Sequence, residues 1–93
     1  MQPVHKLKRI FDHLGDRVKL HASYRTVFDN AHGDIVLRHL IKVGYVFTPT
    51  YVPGDQTETA HREGMRRIVL SICRQLRLDE EKMLELMEQE DGR

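Results

Sequence analysis

DQTETAHREGMRRIVLSICRQL, residues 55–76, is the stretch from which the fold is read. Met65, Ile68, Val69, Ile72, Cys73 and Leu76 recur at i, i+3, i+4, i+7, i+8 and i+11. That spacing is one apolar stripe on an amphipathic helix. Asp55 or Thr57 can cap its start, and Asp55 with Glu58 has capping-box spacing. Arg62, Arg66, Arg67, Arg74 and Arg77 fall mostly off the stripe. Gly64 sits one turn in and predicts close approach of another backbone, because otherwise a glycine there only weakens the helix.

Downstream, Asp79 is an N-cap with Glu80 and Glu81 in the first turn, where carboxylates suit the helix dipole. Leu78 and Met83 have the spacing of a hydrophobic staple, and Met83, Leu84, Leu86 and Met87 form the apolar side. The two methionines suit an adaptable contact surface. The acidic helix 79–93 frays at its end, residues 90–93.

Upstream, Tyr45 to Gln56 changes character. Aromatic and β-branched residues, two prolines and the turn pair Pro53-Gly54 predict a long ordered loop or a short strand pair. Tyr45, Phe47 and Tyr51 read first as anchors pinning this loop to the helices, and second as ligand contacts. Before it, a helix from about Asp34 carries Val36, Leu37, Leu40 and Ile41 and stops at Gly44. Residues 29–33 read as a stop followed by a turn. A short helix starting at the Ser23 cap carries Tyr24, Val27 and Phe28.

The N-terminal helix, Pro3 to about Leu20, has Val4, Leu7, Phe11, Leu14 and Val18 at spacings of 3, 4, 3 and 4. Core packing is the first reading of that stripe and self-association the second, since a coiled-coil seam has the same spacing. Gly15-Asp16 is a candidate break.

Composition bounds the rest. Ninety-three residues make one domain, 1–93, with a modest core. The single cysteine, Cys73, rules out an internal disulfide and favours a reducing compartment. The start reads as no signal peptide, and no apolar run approaches a membrane span. Residues 1–78 hold thirteen Lys/Arg against seven Asp/Glu, and residues 79–93 seven Asp/Glu against two Lys/Arg. This basic body with an acidic tail either attracts an anionic partner or shields itself.

Catalytic patterns are weak. The six histidines show no i,i+4 pair and the chain has no Cys-x-x-Cys, so zinc spacings are absent. Cys73 lies on the apolar stripe and reads as a buried small hydrophobe. Ser23 and Ser71 lack a nucleophile-elbow context, and no glycine-rich phosphate loop occurs. The expectation is a binding protein, not an enzyme, with no cofactor, metal, small-molecule ligand or membrane partner. Nucleic-acid binding through the arginines is the runner-up, although the turn at 30–33 lies in a poor helix-turn-helix context.

One run of residues has a counterpart elsewhere. Tyr24-Arg25-x-Val27-Phe28, Gly33-x-x-Val36-Leu37-x-x-Leu40, Val46-Phe47-x-Pro49-x-Tyr51-x-Pro53-Gly54-Asp55, Ala60 and Glu63-Gly64-x-Arg66-Arg67 follow one another. This order resembles the small tailed-phage proteins grouped as the Bordetella-phage-like domain family, over residues 24–76. The resemblance implies a phage context, with genes near those for terminase and portal, and leaves 1–20 and 79–93 outside the shared pattern. A small virion or morphogenesis protein, in the virion or host cytoplasm, is the expectation; an inhibitor of a host defence or enzyme complex is an alternative. The partner is then self, a virion protein or a host protein. The fold expected is all-α, four to five helices with one long aromatic-proline loop. The binding set expected is Arg62, Arg66 and Arg67 for anionic contacts, with Tyr45, Phe47 and Tyr51 as aromatic anchors.

Overall fold

Among the described residues four helices form: α1 (Pro3–Phe28), α2 (Ala31–Val43), α3 (Gln56–Gln75) and α4 (Glu80–Asp91). The computed structural model describes the backbone of residues 3–91 and the side chains of residues 8–89. Val4, Leu7 and the C-terminal fray at 90–93 fall outside the described side chains. No strand is present among the described residues, so the segment between α2 and α3 is a loop and not a strand pair.

Two expected helices are one. α1 runs unbroken through Gly15-Asp16 and through Ser23. Ser23 Oγ donates to the Lys19 carbonyl at 2.8 Å and Thr26 Oγ1 to the Ala22 carbonyl at 3.0 Å. Both hydroxyls therefore bond back along the helix, which leaves Ser23 no role as a cap. The stop comes later. α2 starts earlier than the expected Asp34, and its cap is Asn30: its Oδ1 accepts from the Gly33 amide at 2.8 Å while its Nδ2 donates to the Thr26 and Val27 carbonyls. One side chain thus ends α1 and begins α2.

The other helix starts follow the sequence. Asp55 Oδ1 accepts from the Glu58 amide at 2.9 Å, and Asp79 Oδ1 from the Lys82 amide at 2.9 Å. At the end of α3 the Leu78 amide donates to the Cys73 carbonyl and the Arg77 amide to the Arg74 carbonyl, the two bonds of a Schellman motif. The left-handed position of that motif is usually glycine; here it is Arg77, with φ 56°. An L side chain there costs about 1 kcal/mol.

The core is small. Leu37 and Ile41 of α2, Val46 of the loop, Val69 and Cys73 of α3, and Met83 and Leu86 of α4 are buried together. Phe28, Leu40, Leu70, Ile72, Leu76, Leu78 and Met87 pack around them. Gly44 is where α2 meets α3: a Cβ there would lie 2.5 Å from Val69 Cγ2. Gly64 is different. Nothing lies within 4 Å of the position its Cβ would take, so no backbone approaches it as the sequence had suggested. Gly64→Ala is therefore expected to stabilise the fold by about 0.5–1 kcal/mol, read as a higher urea midpoint.

The N-terminal half of α1 projects from this body. Every described residue from Lys8 to Leu20 is exposed, and burial begins only at His21. The radius of gyration is 17.7 Å, against roughly 12 Å for a compact chain of this length. The Phe11, Leu14 and Val18 stripe is thus not core, contrary to its first reading. α1 packs against α2 and α3, and burial is confined to its C-terminal part.

Candidate interaction surface

The loop between α2 and α3 is held by bonds to α3. The Val52 amide donates to Thr59 Oγ1 at 2.9 Å, and Thr59 Oγ1 donates to the Asp55 carbonyl at 2.9 Å. Thr50 Oγ1 donates to a Glu63 carboxylate oxygen. Arg62 Nε donates to Glu58 at 2.8 Å, and its guanidinium lies 4.9 Å from the centroid of the Tyr45 ring. The Glu58 hydrogen bond raises the Arg62 pKa above its ordinary value; partial desolvation opposes this, and Tyr45 and Asp55 add to it.

Of the six expected binding residues, the structure joins two, Tyr45 and Arg62, and it joins them to each other. Arg62 is committed to Glu58 and Tyr45, which pins the loop. Phe47 and Tyr51 are exposed, Tyr51 at 70%, so neither anchors the loop to the helices. Val46 does that instead, at 7% exposure. Tyr45 has φ 58°, and this left-handed step after Gly44 turns Val46 inward. Arg66 is half-buried and Arg67 exposed, and neither forms an ion pair among the described residues.

One arginine, Arg38, escaped notice in the sequence, and Arg77 has a place that residue types did not suggest. Arg38 is buried at 7% exposure with no ion pair among the described residues. Arg77 lines an open groove of about 650 Å³ with Leu14, Arg17, Val18, His21 and Gln75, between α1 and the end of α3. A second groove, about 330 Å³, lies between the end of α1 and α4 over Phe28, Leu37 and Leu86. Its rim mixes Arg25 and Lys82 with Asp29, Asp34 and Glu85.

Cys73 is sealed at 1% exposure, and burial pushes its thiol pKa up. It is expected to resist iodoacetamide in the native protein and to react at the rate of unfolding. The unfolded thiol ionises near its ordinary value of 9.0 while the folded one stays protonated. This contribution to stability is whole below that pH and declines above it. Among the described residues no three His, Cys, Asp or Glu side chains gather as a metal site, and no helix is long and apolar enough to cross a membrane.

Residues 24–88 match the family model of the Bbp19-like phage proteins. The chain belongs to that family. The match runs past Leu76 through most of α4, so the Bbp19-like span takes in the acidic helix that the sequence pattern had left outside. It covers the packed body. The exposed stripe of this Bbp19-like protein, Phe11 to Val18, precedes the first matched residue. None of the curated proteins and none of the solved structures matches the chain.

Proposed function

We propose that this phage protein is a non-enzymatic protein–protein interaction component, a virion or morphogenesis part acting in the particle or the host cytoplasm. The observation that carries this reading is the α1 stripe. Ile10, Phe11, Leu14 and Val18 are each 46–69% exposed on a helix that projects from the body. Isolated apolar residues on a surface are ordinary; a continuous helical seam of them is the signature of a face that meets another protein. The family membership supplies the phage context. The arginines of α3 support nucleic-acid binding less well, because Arg62 is spent on Glu58 and Tyr45.

The test is sedimentation from infected cells with a tagged chain. Wild-type protein is expected to travel with capsid, portal or tail assemblies, and a Phe11→Glu, Val18→Glu double variant to stay behind while keeping its helical CD spectrum. Wild-type protein that never enters a particle or assembly fraction would overturn the reading, as would a double variant that still does.

A further inference from the structure

We infer that the partner presents an acidic amphipathic helix, which seats in the groove between α1 and the end of α3. This rests on the interaction reading above and names the chemistry of the partner. The floor of the groove is apolar: Leu14 and Val18 stand one turn apart, and Phe11 extends the same stripe by another turn. Spacings of 3 and 4 along a helix accept the ridge of a second helix. The rim is basic. Arg17, His21 and Arg77 line it, and no carboxylate among the described residues does. Asp12 lies across α1 from Leu14, and Asp16 stands one turn before Leu20, at the edge of the groove and outside its lining. Neither Arg17 nor Arg77 has an ion-pair partner among the described residues.

The backbone adds a separate observation. Arg77 occupies a left-handed position that glycine would fill without strain. Non-glycine residues held in such conformations cluster at functional sites. Here the turn that ends α3 sets a guanidinium on the rim.

The alternatives fit less well. A nucleic acid would meet the cations but leave the Leu14 and Val18 floor without an apolar counterpart. A second copy of this chain offers no matching helix. Its acidic helix, α4, buries Met83 and Leu86 in its own core, and its exposed helix, α1, is basic like the groove.

The test uses the full chain and a labelled helical peptide of about 18 residues, roughly five turns, with leucines at 3–4 spacing flanked by glutamates. A copy with lysines for the glutamates and a short DNA duplex are the controls, with fluorescence anisotropy as the readout. The glutamate peptide is expected to bind, and to bind more weakly at high salt. Leu14→Glu and Arg17→Glu should each weaken it about tenfold or more, and Arg77→Gly by about tenfold. Arg77→Gly should also melt above the wild type, because it relieves the strained turn. That combination separates loss of a contact from loss of the fold. Equal binding of the lysine peptide, preference for the duplex, or unchanged affinity in Arg77→Gly overturns the proposal. If the glutamate peptide fails to bind while the protein still sediments with particles, the acidic partner is wrong and the interaction role stands.

Discussion

Gly33→Ala is expected to destabilise the protein by about 3 kcal/mol or more. A Cβ at Gly33 would overlap the Phe28 carbonyl group and Cα. Those are backbone atoms, so no rotamer change relieves the contact. The turn from α1 into α2 would have to open, and the Asn30 cap, whose Oδ1 holds the Gly33 amide, would go with it. The stability of a domain this size is about 5–15 kcal/mol. A loss of this order lowers Tm by about 15 °C or more. Thermal and urea melts followed by CD measure it directly. A variant that melts within a few degrees of wild type would mean that the corner is looser than the geometry requires.

The second large effect is at Ile41. Its side chain is 1% exposed at the centre of the cluster that joins α2, α3 and α4. Ile41→Ala removes buried methyl groups and leaves a cavity, at a cost of about 3–4 kcal/mol. Phe11→Ala removes a larger side chain from α1, but one that is 65% exposed. Its expected cost is within about 0.5 kcal/mol. The pair of urea midpoints measures where the core ends. Similar losses at both positions would place α1 in the core after all.

Helices with periodic apolar faces and good caps were legible in the sequence. Asp55 and Asp79 cap where their spacing says they should, and Val69, Cys73, Met83 and Leu86 are buried from stripes read in advance. What failed was local chemistry with two meanings. Ser23 is as able to bond back to Lys19 as to cap a new helix, and only the continuing backbone decides. The loop failed for a different reason. Its larger aromatics, Phe47 and Tyr51, were natural candidates for anchors, but a left-handed residue at Tyr45 hands that role to Val46. Positive φ at a tyrosine or an arginine has no propensity signal, so neither the loop packing nor the place of Arg77 could be read from residue types. The α1 stripe was found, but whether it faces inward depends on which elements reach it. The body formed by α2, α3 and α4 covers only the C-terminal part.

The central claim is that this stripe is a surface and not part of the core, and the urea stability of purified Leu14→Glu tests it most directly. Leu14 is 46% exposed, so the substitution is expected to leave the midpoint within about 0.5 kcal/mol of wild type and the helical CD signal unchanged. A loss of several kcal/mol, the signature of a charge forced into a packed interior, would show that α1 folds onto the body and would contradict the account.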